Sequence, residues 1–316
     1  MTTPPQGVLL MAYGTPEREG DLEAYYTDIR RGRPPAPEQL ADLRRRYDAI
    51  GGLSPLASLT RAQAAGLQRT LDERAGAGAF HVELGLKHAS PSIEAGVEAL
   101  AAARVEQFVS LVLAPHFSAL SVGQYLERAA DAAGHLKVRD ITAWWDRPAL
   151  IDLLAERVQR AMRSASGAPA SSRHVSVAAS PPKRTEVIVT AHSLPVRALS
   201  IDHPTYEEQL RATGELVAEA AGVGSWRIAW QSAGRTPEPW IGPDILEVIR
   251  SLPDEGYEHV VVCPAGFTSD HLEVLYDVDI EARGVAEEVG LTLSRTESLN
   301  DDPRFLALLA DLVMEG

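Results

Sequence analysis

The sequence predicts an α/β protein built from two similar Rossmann-like domains, each a four-stranded parallel sheet flanked by helices. Three observations lead there. Short apolar runs alternate along the chain with segments of helical spacing, the pattern of parallel strands joined by crossover helices. The runs fall into two sets of four with the same strand–loop–helix order. The length, 316 residues, is long for one core and comfortable for two.

Strands are expected at 7–11, 81–86, 107–113 and 137–141 in the first half, and at 186–189, 227–230, 259–262 and 291–293 in the second. Runs such as Val260-Val261-Val262-Cys263 are apolar on both faces, which suits strands covered from both sides. Apolar residues at helical spacing predict helices at 91–103, 148–162, 206–221 and 270–286, and an amphipathic helix at 305–313. The domain change is expected at Trp144-Trp145-Asp146-Arg147-Pro148. This gives a first domain of residues 1–145, a second of 146–295 and a C-terminal helical segment, 296–316, packing back on the first. Residues 164–183, rich in Ser, Ala and Pro, read as a surface loop.

Composition narrows the function. A net charge of −14 argues against nucleic acid and anionic membrane surfaces as partners. The single cysteine, Cys263, lies in an apolar strand and excludes an internal disulfide or a cysteine cluster within one chain. No window approaches a membrane span and no signal sequence is evident, so a cytoplasmic protein is expected, and nothing demands more than a monomer.

In open α/β sheets ligands bind beyond the carboxyl ends of the strands, and the polar residues gather there. The strand at 186–189 runs into Thr190-Ala191-His192-Ser193-Leu194-Pro195. An imidazole with an ordinary pKa near 6.5 can take a proton or ligate a metal there, or simply pack. The strand at 259–262 leads into a helix on which Asp270, Glu273, Asp277 and Glu281 share one face. Four carboxylates in a stripe repel one another, a cost that makes sense if cations travel along them; a solvated acidic face is the plain alternative. In the first half, Tyr13 closes a strand, and Arg30, Arg46 and Tyr47 follow it. Arginine forks suit carboxylates, and tyrosines offer ring faces to an aromatic ligand. Gly51-Gly52-Leu53-Ser54-Pro55 is a tight turn whose Ser54 hydroxyl suits a further carboxylate. There is no G-x-G-x-x-G, Walker A or G-x-S-x-G motif.

Taken together, Tyr13-Gly14-Thr15-Pro16, Ile29-Arg30-Arg31-Gly32, Arg46-Tyr47, Ile50-Gly51-Gly52-Leu53-Ser54-Pro55-Leu56, Thr190-Ala191-His192-Ser193-Leu194-Pro195, Trp230-Gln231-Ser232-Ala233-Gly234-Arg235-Thr236-Pro237 and Gly266-Phe267-Thr268-Ser269-Asp270-His271-Leu272-Glu273 resemble the ferrochelatase family. The motifs span nearly the whole chain in order. Gly85-Leu86-Lys87-His88, and Ala114-Pro115-His116-Phe117-Ser118 followed by Tyr125, resemble its soluble bacterial branch, which acts on coproporphyrin III.

The resemblance implies a porphyrin cleft between the two domains. It also implies His192 and Glu273 as the inner iron-handling pair, with Asp277 and Glu281 as an outer metal relay and an expected site for Mg(II). Tyr13, Arg30, Arg46, Tyr47, Ser54 and Tyr125 match porphyrin-contacting positions, Tyr13 also as a ligand to the iron of the product. Fe(II) is then a substrate, with no cofactor bound permanently and haem-pathway enzymes as expected partners. The cysteines of a [2Fe–2S] cluster and a membrane-associating extension, both features of animal-type relatives, are absent from the sequence. That favours coproporphyrin III over protoporphyrin IX. A cobalt or nickel tetrapyrrole chelatase is a second reading. A non-catalytic haem-binding protein is a third, which leaves the carboxylate stripe unexplained.

Overall fold

The computed structural model describes residues 4–165, 184–200, 204–234 and 236–315. Most of the expected 164–183 loop, with His174, His203 and Arg235, lies outside the described residues. The chain divides into two compact units, one of Met1–Trp144, Thr268–Leu272 and Leu299–Gly316, the other of Trp145–Phe267 and Glu273–Ser298. Among the described residues no helix is long and apolar enough to cross a membrane.

The first unit runs β1 (Gln6–Ala12), α1 (Leu22–Ile29), α2 (Pro37–Ala49), α3 (Leu56–Ala75), β2 (Phe80–Leu86), α4 (Ile93–Ala102), β3 (Gln107–Val112), α5 (Val122–Ala132) and β4 (Lys137–Ile141). Its sheet is parallel in the order β2–β1–β3–β4. Val8, Leu9, Leu10 and Met11 of β1 are wholly buried, because a central parallel strand is covered on both faces. Packing against Leu9 and Met11 are Ile93, Val97 and Leu100 of α4 and Val122, Leu126 and Ala129 of α5.

The second unit begins with α6 (Pro148–Ala165) and continues through β5 (Thr185–His192), α7 (Tyr206–Ala221), β6 (Trp226–Gln231), α8 (Ile245–Ser251) and β7 (His259–Cys263). A π-helix, Val274–Ala282, then passes directly into α9 (Arg283–Glu288), before β8 (Thr292–Arg295). This sheet is also parallel, in the order β6–β5–β7–β8. Its helix starts are well signalled: Thr205 and Glu208 form a reciprocal capping box on α7, and Asp244 caps α8. At the opposite end of the sheet from the strand C-termini, the buried Glu186 accepts from Arg227 Nε at 2.5 Å and from the Ser225 hydroxyl.

The chain ends in α10 (Pro303–Met314), whose buried face includes Phe305, Leu306, Leu308 and Leu309. It belongs to the first unit. Leu306 sits so close to α3 that a Cβ on Gly66 would come within 2.3 Å of its Cδ1, so any larger residue at 66 obliges the Leu306 side chain to move. Phe305 packs on Trp144 at 5.9 Å between ring centroids, and the Trp144 indole donates to the Val112 carbonyl.

All eight expected strands are present, within a few residues at their ends. The expected helix at 270–286 differs in two ways. It starts at residue 272, and residues 274–282 bond as a π-helix, not an α-helix. Asp270 is held out of it by Asn300: the Asp270 backbone N–H donates to Asn300 Oδ1, and Asn300 Nδ2 donates back to Asp270 Oδ2.

Candidate active site

His192 is the last residue of β5, paired in register with Gln231 at the end of β6. Its backbone is tightly fixed. The Ser193 N–H donates to the Gln231 carbonyl at 2.7 Å, and the Ser193 hydroxyl donates to the Ile241 carbonyl. Thr190 Oγ1 donates to Gln231 Oε1, tying the two strand ends side chain to side chain. Beyond it, the Val196 and Ile241 N–H groups reach across to Pro239 and Leu194, forming a short antiparallel bridge at Trp240. His192 Nδ1 hydrogen-bonds the Ser193 carbonyl, which turns Nε2 towards Glu273 Oε1, 3.6 Å away.

The turn that returns Glu273 to this place depends on a glycine. Gly266 donates to the Thr190 carbonyl, and a Cβ there would lie 2.4 Å from the Ala191 Cβ. Only glycine lets the segment after β7 lie flat on the end of β5. Glu273 then opens the π-helix, with Asp277 and Glu281 following at four-residue intervals. Bonding from i to i+5 winds the backbone wider than an α-helix, and residues four apart fall within a small part of a turn of one another in either kind of helix, so they share one side. That side holds three carboxylates, since Asp270 lies before the helix and in the first unit. Asp277 is buried, and the Ser232 hydroxyl donates to its Oδ2. Ser232 holds a left-handed backbone, φ 61°, uncommon for a residue with a side chain.

Electrostatics bind these groups together. Burial alone would lower the His192 imidazole, but the Glu273 carboxylate, the bond to the Ser193 carbonyl and the Asp277 charge outweigh it and raise the pKa to about 9. A third of the side chain of each partner is exposed, so water reaches the pair. At neutral pH the site therefore rests as an imidazolium beside carboxylates. The Tyr206 phenol, buried and facing the Glu273 charge, is pushed up and stays neutral.

The remaining sequence-singled residues lie in the first unit. Tyr13 follows β1, is 40% exposed, and meets the His88 ring edge-on at 4.6 Å. His88 Nδ1 in turn bonds Asp28 Oδ2 at 2.6 Å. Arg30 donates through Nε to the Arg33 carbonyl, its guanidinium 5.7 Å from the Tyr26 ring centroid, and Arg46 Nε lies 3.3 Å from Asp42 Oδ2. Two of the tyrosines are not displayed. Tyr47 is buried with its hydroxyl 3.0 Å from Thr15 Oγ1, and Tyr125 is buried on α5. Ser54 accepts from the Leu56 N–H at the start of α3. His116, at the end of β3, is buried so completely that its pKa falls to about 3, and it stays neutral.

Residues 5–316 match the ferrochelatase family model. The chain belongs to the ferrochelatase family. As a ferrochelatase-family chain it is a metal-chelating lyase. The coproporphyrin III ferrochelatase of Anoxybacillus flavithermus is 45% identical to it over 312 residues, covering 98% of this chain and 95% of the relative. That of Listeria monocytogenes serotype 4b is 43% identical over 313 residues, covering 98% and 97%. Among solved structures, the sirohydrochlorin chelatase SirB from Bacillus subtilis in complex with cobalt superposes with a TM-score of 0.53 at 12% identity, covering 98% of this chain and 94% of that one. CbiX, from siroheme biosynthesis in denitrifying bacteria, gives 0.51 at 14% identity, covering 97% of each. These two likenesses speak to the fold, a two-domain chelatase-like α/β architecture.

Sequence reasoning gave no role to three residues that the structure makes conspicuous. Ser232 lay inside a quoted motif but carried no role, and its bond to Asp277 needs the strand order to be seen. Asp28 and Lys87 were likewise passed over. For Lys87 a signal existed: the chain has 30 Lys and Arg residues, and only Lys87, Lys137 and Lys183 are lysines.

Proposed function

We propose that this chain inserts Fe(II) into coproporphyrin III to give Fe-coproporphyrin III. One observation carries the reading: an imidazole and a glutamate from distant stretches meet within 3.6 Å at the strand ends of the second sheet. It is supported by relatives at 42–45% identity, each a coproporphyrin III ferrochelatase.

Metal insertion requires water to be stripped from the ion and two pyrrole protons to be removed. In this reading Glu273 supplies oxygen donors to the incoming Fe(II), and carboxylate with imidazole is a donor set that ferrous iron accepts. A dication at Glu273 drives the extra proton off His192 to the water that reaches the pair, since like charges disfavour the imidazolium. The freed imidazole then takes one pyrrolic proton as general base, and the Glu273 carboxylate takes the second once the ion has passed to the ring. Asp277 and Glu281 relay the ion towards the pair. They also suit Mg(II), which keeps several waters and binds through one or two carboxylates. Tyr13, Arg30, Arg46, Tyr47, Ser54 and Tyr125 serve the porphyrin, the arginines and Ser54 as carboxylate partners. Remote binding of this kind offsets the distortion of the ring. We place this activity in the cytoplasm, with the chain acting as a monomer between the haem-pathway enzymes that supply its porphyrin and take its product.

The test is anaerobic Fe(II) insertion followed by absorbance, with coproporphyrin III against protoporphyrin IX. Coproporphyrin III is expected to give the higher kcat/KM. A higher value for protoporphyrin IX transfers the assignment to that substrate, and no insertion into either overturns it.

A further inference from the structure

Lys87 stands at the end of β2, its N–H donating to the Ala12 carbonyl while that of His88 donates to Tyr13. Its half-buried ammonium donates to Gln124 Oε1 at 2.8 Å and lies 4.8 Å from the centroid of the Tyr125 ring. Neither is an anion. Among the described residues no carboxylate pairs with it. Glu94 is taken in a fork by Arg128, through Nε at 2.8 Å and Nη2 at 2.9 Å, and Asp28 is held by His88. Arg128 Nη1 also donates to the Lys87 carbonyl at 2.8 Å, so a second cation backs the first. Burial, with the Arg128 and Arg31 charges, lowers the Lys87 pKa to about 8.

Among the described residues this half-buried cation has an amide and a ring as its partners and faces other cations, an arrangement that costs free energy. An incoming anion would relieve that cost. The residue type agrees: where a chain this rich in arginine keeps one of its three lysines, a compact point charge is wanted and not a planar fork. The surroundings say what carries the anion. Tyr13, exposed beside the Lys87 backbone where β1 ends, offers a ring face to a flat ligand with acidic arms, while the buried Tyr125 of α5 seats the ammonium from below.

We propose that Lys87, backed by Arg128 and seated on Tyr125, is a specificity-determining subsite that receives one carboxylate of a tetracarboxylate porphyrin. This rests on the proposed function and adds to it a residue that discriminates tetracarboxylate from dicarboxylate rings.

Two measurements test it. Amine acetylation of the wild-type protein, read by peptide mass spectrometry, reports Lys87, Lys137 and Lys183 separately. Coproporphyrin III should slow Lys87 acetylation and leave Lys137 unchanged, whereas protoporphyrin IX should protect Lys87 less. In parallel, Lys87→Met should raise the Kd for coproporphyrin III about tenfold, the effect of one lost charged contact, and that for protoporphyrin IX by less than half as many fold. Equal protection by both porphyrins, equal losses in Lys87→Met, or protection by inorganic phosphate as strong as by coproporphyrin III would each overturn the subsite. A wild-type protein that inserts iron into neither porphyrin would instead fail the proposed function, before the variant is made.

Discussion

The two units share one frame and carry different chemistry. Each sheet places its first strand second in the order, between its second and third. In the first unit β1 runs into Tyr13, and the helix after β3 carries Tyr125; in the second β5 ends in His192, and the helix after β7 opens on Glu273. Corresponding positions thus hold two aromatic groups in one unit and an imidazole–carboxylate pair in the other. The helices differ as well: α5 is an ordinary α-helix, whereas its counterpart is a π-helix aligning three carboxylates. Topology sets where groups gather, at the carboxyl ends of parallel strands, and the local sequence sets what they do there. In the proposed function the first unit recognises the ring and the second handles the metal and the protons.

The sharpest way to break this division is to remove the imidazole. His192→Ala should lower kcat for Fe(II) insertion by about 10²- to 10⁴-fold, the range for a positioned general base, while the porphyrin Kd stays within about threefold. Stopped-flow absorbance and fluorescence quenching read the two quantities. Retained turnover would remove His192 from the chemistry, and a large loss of porphyrin affinity would erase the contrast between the units.

The frame was legible in the sequence because parallel strands buried on both faces leave long apolar runs, and Val8–Met11 and Val260–Cys263 are such runs. His192 and Glu273 were also legible as strand-end residues, but not their 3.6 Å approach. That approach depends on Gly266 lying on Ala191, a contact between segments some 75 residues apart that no local pattern encodes. The π-helix was not legible either. Its four-residue spacing of acids reads equally as the face of an α-helix, and the difference lies in backbone bonding. Asp270 was drawn into the stripe for the same reason, because periodicity cannot register a competing partner such as Asn300. Tyr47, read as offering a ring face, is buried around a hydroxyl contact to Thr15 that only the folded chain reveals.

At the other end of the strands the comparison turns to stability. The second residue of β1 is Gly7, where a Cβ would meet Phe108 at 2.7 Å; the second residue of β5 is the buried Glu186. The first unit closes that end by packing, the second by an ionic cluster of Glu186, Arg227 and Glu255, with the Arg184 and Arg227 guanidinium groups over the Tyr257 ring. Arg227→Ala leaves the Glu186 carboxylate buried without its cation. It should destabilise the protein by about 3 kcal/mol, the lower end for breaking a buried pair because Arg227 is partly exposed. Urea denaturation measures it, and a loss under about 1 kcal/mol would mean that the cluster contributes no more than a surface pair.

The last effect separates the units by sign. His192, raised from 6.5 to about 9, binds more protons folded than unfolded across that interval, so its contribution to stability is complete below pH 6.5 and is lost as pH rises through 9. Lys87, lowered from 10.5 to about 8, does the opposite: between pH 8 and 10.5 the unfolded chain holds the extra proton, and stability rises with pH. The second unit thus contributes a falling limb to the stability–pH curve and the first a rising one. Urea midpoints taken from pH 6 to 10.5 should show the falling limb flattened in His192→Ala and the rising limb flattened in Lys87→Met. If either variant leaves its own limb intact, that group's environment in the folded chain is not the one its neighbours here dictate.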